Sequence, residues 1–286
     1  MKLDPNADKY FKGTLGKTGD DTYEVPSLDC GSHAAFSASI CFGIAAKRFP
    51  KYTPWSKIGY NAEISTVEEA LWGPGGTYVF PTAEMGMEVV STSVEDDILT
   101  VAPAPGTGVH KIMIYYLDGS YNEKTTEVTL NGTGVVATSV TDIFRINAVR
   151  VTTVGTGGKA AGVISVRHLT DTPIYTQIAV GNTRARTCVY TVPIRKTLYV
   201  TSLFFSSTSG ASKSTVFTTR ANLNDLTGEN DSIFFPYHEV GMQDGSVYKP
   251  LEIPTRLPAK TDLLVVAKST GAAVCTCALS GWIEEC

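Results

Sequence analysis

The feature that most constrains this chain is the stretch 108–134, in which two runs of alternating apolar and polar residues surround Asp118 and Gly119. Side chains on a β-strand alternate between its two faces, so a period of two indicates a strand with one buried face. The Asp-Gly pair supplies the positive backbone dihedrals that a tight hairpin turn requires. The sequence therefore predicts a β-hairpin, whose first strand has the apolar face Ile112, Ile114 and Tyr116 and the opposite face Lys111, Met113 and Tyr115.

The composition favours sheets over helices in the remainder of the chain. The chain has 286 residues, a length typical of about two domains, and 43% of them are hydrophobic, which is sufficient for two cores. Charged residues account for only 18%, which is below the fraction of roughly a quarter that is usual for soluble domains. Short strand-forming runs, separated by turns rich in Gly, Pro, Asn and Asp, recur from residue 78 onward. We therefore predict an all-β fold.

These runs fall into two blocks, which we interpret as two β-sandwich domains. About six or seven short strands precede the turn-forming segment 170–173, and about eight follow it. The predicted organisation is an N-terminal arm with a short helix over residues 1–55, a first β-sandwich domain over residues 56–172 and a second over residues 173–286. The two blocks share an architecture but no residue-level period, so the pattern does not indicate a sequence repeat.

The arm combines a polar, glycine-rich lead with an apolar segment. Ser32 is a favourable cap for a helix that begins at Ala34, and Lys47 and Pro50 are suited to its end. The sequence leaves two interpretations open: the helix packs on its own domain, or the arm docks into a neighbouring subunit. Aromatic side chains carry much of the energy of protein interfaces, so the aromatic residues of this region are the predicted partner contacts, with burial in the domain's own core as the alternative. They are Phe36, Phe42, Phe49 and Trp55.

Two further local patterns predict a second helix and a second contact surface. Ser65 and Glu68 have the spacing of a capping box, which predicts a helix of about two turns that ends near Trp72. The segment 234–238, Phe-Phe-Pro-Tyr-His, lies beside the long loop 222–231 and is a second candidate for a surface that contacts a partner.

The residues that usually carry chemistry do not form a recognisable constellation. The four histidines lie far apart in the sequence, and His238 and Glu239 are neighbours on a predicted strand, so their side chains point to opposite faces. Cys275 and Cys277 share a face, but their spacing is neither that of a redox motif nor that of a zinc site, and we interpret them as buried structural thiols. We therefore expect no catalytic residue, no metal and no cofactor, and a protein that is not an enzyme.

Charge and hydropathy argue against two classes of partner. The formal net charge is −4 and no block of Lys and Arg is present, so we expect no direct contact with nucleic acid. The least charged stretch, residues 31–46, is shorter than the roughly 18 to 20 residues that a membrane span requires, so we expect no membrane segment. No secretory pattern is visible and the six cysteines do not form a dense disulfide framework, which indicates reduced thiols and synthesis in a cytosol.

A family resemblance adds what these patterns do not supply. The residues that carry it are Lys57-Ile58-Gly59-Tyr60-Asn61, Ile64-Ser65-Thr66, Glu68, Trp72, Gly75-Gly76, Phe80-Pro81, Tyr116-Leu117-Asp118, Glu127-Val128-Thr129-Leu130-Asn131-Gly132, Tyr190-Thr191-Val192-Pro193 and Lys196-Thr197. In these motifs the chain resembles a family of β-rich structural proteins from the virions of tailed bacteriophages. The likeness extends over about residues 56–205 and does not reach the arm. It implies assembly into a virion shell, neck or tail.

The resemblance implies a non-enzymatic virion structural protein, for which the favoured role is a capsid cement or decoration protein. The alternative within this class is a neck or tail component that links the head to fibres. The implied partners are other virion proteins, either the major capsid protein or neck and tail proteins, in a homo-oligomer for which a trimer is one option. Such a chain is synthesised in the host cytoplasm and resides in the virion. From another class, a carbohydrate-binding β-sandwich module would present aromatic rings to sugars, and the candidate rings are Tyr115, Tyr121 and Trp72.

Overall fold

The structure is a computed structural model, which describes residues 40–98, 105–210, 212–224 and 233–286. The chain divides into two compact units, Met1–Arg48 and Phe49–Cys286. In the first unit residues 40–45 form a helix, α1, and the positive φ of 56° at Lys47 follows its end. The helix thus ends close to the predicted residue, whereas its predicted start at Ala34 lies outside the described residues.

The second unit is built from strands. In chain order they are β1 (Tyr52–Ile64), β2 (Glu69–Ala70), β3 (Met87–Ser91), β4 (Val109–Leu117), β5 (Glu123–Thr129), β6 (Val136–Ala137), β7 (Arg145–Val154), β8 (Ile164–His168), β9 (Ile174–Ile178), β10 (Val189–Thr191), β11 (Lys196–Thr208), β12 (Thr215–Leu223), β13 (Phe235–Met242), β14 (Gly245–Leu257), β15 (Thr261–Ser269) and β16 (Ala273–Glu285). They form four sheets with the orders β1-β16-β11-β14 (sheet A), β10-β15-β12-β13 with β2 beside β15 (sheet B), β6-β3-β8-β9 (sheet C) and β5-β4-β7 (sheet D). The predicted all-β class with a short N-terminal helix is confirmed.

Two hydrophobic cores are each shared by two sheets. Alternation along a strand sends every second side chain inward, which is why apolar residues of neighbouring sheets meet. The first core draws on sheets A and B and includes Phe205 of β11 and Phe217 of β12, whose rings stack with their centroids 4.8 Å apart. The second core draws on sheets C and D and includes Ile112 and Ile114 of β4 together with Ile164 of β8.

The first strand of the unit pairs with the last. β1 pairs with β16 over almost its whole length, beginning with Tyr52 opposite Glu284, and β2 pairs with β15. The sequence assigns the residues of β1 and β2 to the arm and the first domain, but the structure places them in the sheets of the expected second domain. A period of two shows which side of a strand is buried and does not identify its partner. The division into β-sandwich domains at residues 56–172 and 173–286 stays a prediction.

The predicted hairpin is present as β4 and β5. Buried residues alternate along β4 as expected, and the two strands stay in register up to the turn. The turn itself differs from the prediction, because the positive φ, 63°, falls on Tyr121 and not on Gly119. Asp118 accounts for the difference: its carboxylate accepts hydrogen bonds from the backbone N–H groups of Ser120 and Asn122, at 3.0 and 2.9 Å, and so closes a longer loop.

The helix predicted after Ser65 is absent, and this prediction is wrong, because the segment leads into the short strand β2. The carboxylate of Glu69, rather than that of the predicted capping residue, accepts the local hydrogen bonds: from the N–H and Oγ of Ser65 at 3.1 and 2.7 Å, and from the N–H of Gly76 at 2.8 Å. The backbone N–H of Leu71 donates to a carbonyl of β15 at 2.9 Å. Hydrogen bonds to a neighbouring strand thus override the local helix signal.

Candidate functional site

One face of sheet A is rich in aromatic side chains. The inward face of β11 carries residues of the first core that are at most 2% exposed, namely Leu198, Val200, Leu203 and Phe205. Tyr199 and Phe204 alternate with these residues and therefore project from the outer face of the sheet. Trp282 of β16 lies opposite Tyr199, and Tyr248 of β14 lies opposite Phe204. We call Tyr199, Phe204, Tyr248 and Trp282 the aromatic face.

Contacts between neighbours position the rings of the aromatic face. The rings of Tyr199 and Trp282 stack with their centroids 5.9 Å apart and their planes inclined by 28°. Tyr248 lies at the edge of the sheet beside Phe204, and 65% of its side chain is exposed. Aromatic rings offer a large apolar area with few rotatable bonds, so this face is suited to bind an apolar surface of another molecule.

A carboxylate holds one end of the aromatic face. Glu284 accepts hydrogen bonds from the hydroxyl groups of Tyr52 and Tyr199, at 3.0 and 2.9 Å. The hydrogen bond to Glu284 is the main cause that raises the pKa of Tyr52, and burial adds to it. For Tyr199 burial is the main cause that raises the pKa, and the hydrogen bond to Glu284 adds to it. Both phenols therefore remain protonated donors at neutral pH, and the two rings stay tied to β16.

The outer edges of sheets A and B resist pairing with further strands. β14 is an edge strand of sheet A and β13 an edge strand of sheet B. Pro250 and Pro254 lie in β14 and Pro236 lies in β13, and proline offers no backbone N–H to a new strand. The register of β14 against β11 shifts between Thr255 and Pro250, and within this interval the side chain of Ile253 is 85% exposed. A partner would therefore contact these edges through side chains.

The segment 234–238, which the sequence analysis proposed as a contact surface, contains two exposed rings. Phe235 is 46% exposed and Tyr237 is 37% exposed. Phe234 differs, because its ring stacks on that of Phe80 with centroids 5.5 Å apart. The imidazole of His238 lies 2.7 Å from the Oγ1 of Thr255, and burial lowers its pKa. The rings of Phe235 and Tyr237 are accessible to a partner, but partner binding by this segment stays a prediction.

The four aromatic residues proposed as partner contacts occupy different environments. Phe36 lies outside the described residues, whereas Phe42 and Phe49 are 62% and 42% exposed. Trp55 is only 8% exposed and packs edge-on against Tyr190 in the first core, with ring centroids 5.2 Å apart. Burial in the domain's own core, the alternative that the sequence left open, therefore describes Trp55. Partner binding by Phe36, Phe42 and Phe49 stays a prediction.

Two of the three rings proposed for sugar binding are buried. Trp72 is 4% exposed and packs against Tyr78, while Tyr121 is 1% exposed and packs against Phe144. Tyr115 is 38% exposed. A sugar stacks on an open ring face, so these three residues do not form the expected platform.

The side chains of His110, Cys275 and Cys277 are held by hydrogen bonds or by burial in a core. Within the described ranges, no three side chains of His, Cys, Asp or Glu are placed to hold a metal ion together. The buried ring of His110 has its Nε2 2.7 Å from the carbonyl oxygen of Gly106. Cys275 and Cys277 are buried free thiols, as predicted, and burial raises the pKa of each. None of the helical segments in the described residues has the length and apolar character to span a bilayer.

Sequence reasoning did not identify the aromatic face, and the reason is a β-bulge in β11. The register of β11 against β16 shifts between Val200 and Ser202. Strict alternation would place Tyr199 and Phe204 on opposite faces, because their numbers differ by five, and the extra residue of the bulge brings them to the same face. The cue in the sequence is the pair of small polar residues Thr201 and Ser202, which interrupts an otherwise apolar alternation.

No family model matches the chain, and no curated protein matches it. Among solved structures, the chain is similar to that of the infectious bursal disease virus Gt strain, with 12% identity, a TM-score of 0.23 and coverage of 82% of this chain and 72% of that one. It is also similar to the VP2 subviral particle of infectious bursal disease virus, with 10% identity, a TM-score of 0.18 and coverage of 82% and 77%. Both TM-scores are too low for the likeness to carry an argument about this chain.

Proposed function

We propose that this chain is a non-enzymatic structural protein of a tailed-bacteriophage virion and that it serves on the capsid as a cement or decoration protein. The observation that carries the proposal is the aromatic face, an outer sheet surface on which Tyr199 stacks on Trp282 and donates a hydrogen bond to Glu284, while Tyr248 is exposed. The resemblance of residues 56–205 to virion structural proteins supports the same role. A neck or tail component would use the same face and differ in its position on the particle.

The aromatic face is prepared for binding before a partner arrives. The contacts of Tyr199 with Trp282 and Glu284 already restrict its side chain, so less conformational entropy is lost on association. Buried aromatic residues near the centre of an interface are typical hot spots. The exposed side chains of Tyr248 and Ile253 extend the apolar area to the sheet edge, where the prolines of β14 oppose uncontrolled strand pairing. The proposed occupant is an apolar patch on a neighbouring virion subunit.

Replacing Tyr248 by Ser is expected to reduce binding to the particle by about tenfold or more, because loss of an interface hot spot costs about 2 kcal/mol. The side chain is 65% exposed, so the free energy of unfolding should change by less than about 0.5 kcal/mol. The variant and the parent chain are added to particles that lack the protein, and the bound amount is measured on purified particles by quantitative mass spectrometry.

The matched control for this experiment is Val94→Ser. Val94 is 64% exposed, close to the value for Tyr248, but it lies in the connection between β3 and β4 and not on sheet A. We expect it to bind normally. Equal losses for the two variants, or normal binding of Tyr248→Ser, would contradict the assignment of the aromatic face. A density map of the decorated particle then separates a capsid position from a neck or tail position.

Removal of residues 1–48 is expected to leave the second unit folded and to abolish particle binding. The hydrophobic cores of that unit, as far as the structure describes them, contain residues from Trp55 onward, so their packing does not need residues 1–48. The apolar segment of the arm is proposed to dock into a neighbouring subunit. Circular dichroism should show a melting temperature within a few degrees of the parent chain. Normal particle binding by the truncated chain would reject the role of the arm.

A further inference from the structure

A cleft between β1 and β7 gathers positive charge. Both strands lie at sheet edges, β1 in sheet A and β7 in sheet D. The cleft has a volume of about 260 Å³, and its lining includes the cationic residues Lys57, Arg150 and Arg184 together with one acidic residue, Glu123. The whole chain has a formal net charge of −4, so this concentration of cations runs against its average composition.

Lys57 is partly buried in this cleft without a carboxylate partner. Its Nζ donates to the backbone oxygen of Asn147 and, at 3.4 Å, to that of Thr187. The ammonium group also lies 5.8 Å from the centroid of the Tyr190 ring. Among the ion pairs of the described residues, none includes Lys57. Burial is the main reason that the pKa of Lys57 is lowered to about 8, and the charge of Arg150 acts in the same direction.

Two arginines lie side by side at the same cleft. Arg150 of β7 and Arg184 form an antiparallel β-bridge, so their side chains project from the same side. Like charges at directly opposed positions destabilise a sheet. Both residues are exposed, and neither takes part in an ion pair within the described portion of the chain. The acidic lining residue, Glu123, is already paired with Lys196 at 2.6 Å. Among the residues that the structure describes, the three cations of the cleft therefore have no ion-pair partner.

We propose that this cleft binds a small oxyanion, a phosphate or carboxylate group, with Lys57, Arg150 and Arg184 as its ligands. A guanidinium group offers paired N–H donors that match two oxygens of such a group, and an ammonium group adds a compact point charge. The cleft volume admits a phosphate ion or one acidic side chain. The site uses residues that are absent from the aromatic face, so its test is independent of the proposed virion role.

Isothermal titration calorimetry of the full chain with inorganic phosphate, at pH 7 and low salt, is expected to show binding at one site. Arg184→Ala and Lys57→Met should each weaken this binding by about tenfold or more, because each removes a charge-assisted hydrogen bond. Lys159→Ala is the matched control: Lys159 is exposed after β7 and lies outside the cleft, so its replacement should leave binding unchanged.

A parallel titration with a hexaglutamate peptide, and with hexaglutamine as its neutral counterpart, shows whether the preferred source of the oxyanion is a protein segment or free phosphate.

The pH dependence provides a second readout. Sulfate keeps its charge across the range, so its binding should weaken as the pH rises through about 8, where Lys57 loses its proton. The thiols of Cys188 and Cys277 also face Lys57, and burial raises the pKa of Cys277. Lys57→Met should remove this pH dependence. Absence of binding by phosphate, sulfate and hexaglutamate, or unchanged affinity in both Arg184→Ala and Lys57→Met, would overturn the proposal.

Discussion

Replacing Arg145 by Ala is expected to lower the free energy of unfolding by about 3–5 kcal/mol, the cost of removing one partner of a buried ion pair. Arg145 is 2% exposed and Asp262 is 1% exposed. The Nε and Nη2 of Arg145 each donate to the carboxylate of Asp262 at 3.0 Å, and the guanidinium carbon lies 3.9 Å from the centroid of the Phe144 ring. In the variant, the charge of Asp262 stays buried with the neutral side chains of Thr191 and Asn224 as donors.

This ion pair connects strands that belong to different cores. Arg145 begins β7 of sheet D, and Asp262 lies in β15 of sheet B. We therefore expect urea denaturation of Arg145→Ala to show lower cooperativity as well as lower stability, because the two cores lose a direct link. The double variant Arg145→Met with Asp262→Leu removes both charges and should recover much of the loss.

An exposed ion pair supplies the control for Arg145→Ala. Lys111 and Glu127 are 2.8 Å apart, with side chains 33% and 38% exposed. Exposed pairs contribute little to stability because water screens them, so Lys111→Ala should unfold almost as the parent chain does. If Arg145→Ala is destabilised no more than Lys111→Ala, or if the double variant is less stable than Arg145→Ala, the interpretation of the buried pair is wrong.

The second large effect is expected for Asp96→Ala, which should lower the free energy of unfolding by about 3–5 kcal/mol. Asp96 is 0% exposed. Its carboxylate accepts four hydrogen bonds, from the Oγ of Ser91 at 2.6 Å and from the backbone N–H groups of Val109, Ala161 and Gly162 at 2.8, 2.9 and 2.8 Å. Alanine would leave these buried donors without their acceptor. The loop is also closely packed, because a Cβ on Gly108 would come within 2.1 Å of the Oδ1 of Asp96.

Two further substitutions test this explanation of Asp96. Asp96→Asn retains one acceptor oxygen and places an NH₂ group against the remaining donors, so its loss of stability should lie between those of the parent chain and Asp96→Ala. Glu95→Ala is the neighbouring control: the exposed carboxylate of Glu95 accepts from the N–H and Oγ1 of Thr107, both at 3.0 Å, where water can replace it. Chemical denaturation measures all three variants. Similar midpoints for Asp96→Ala and Glu95→Ala would refute a special role for Asp96.

The parts of the fold that follow from the sequence are local. The alternation of β4 depends on residues two apart, and so does the shared buried face of Cys275 and Cys277, which is why both predictions are confirmed. The helix expected after Ser65 is also a local signal, but hydrogen bonds to β15 outweigh it. Sequence patterns therefore describe an element well until a partner from elsewhere in the chain offers stronger contacts.

The candidate sites depend on distant pairings and could not be assembled from the sequence. The aromatic face requires a bulge in β11 and the register of two neighbouring strands. The cationic cleft brings Lys57 close to Arg150 and Arg184, which stand in separate parts of the sequence with no common motif. Isolated Lys and Arg residues usually indicate a solvated surface, and what distinguishes these three is that they line one cleft and that none of them forms an ion pair within the described residues.

The pairing of β1 with β16 has a consequence for biosynthesis. A ribosome delivers β1 long before β16, the strand that pairs with its backbone N–H and C=O groups and that is complete only at Glu285. Contacts between residues so distant in the chain form slowly, because a long loop must close before they stabilise the fold. During that interval the nascent protein carries an open strand that can associate with other unfinished chains. Each nascent chain therefore stays open to such association until β16 has been made.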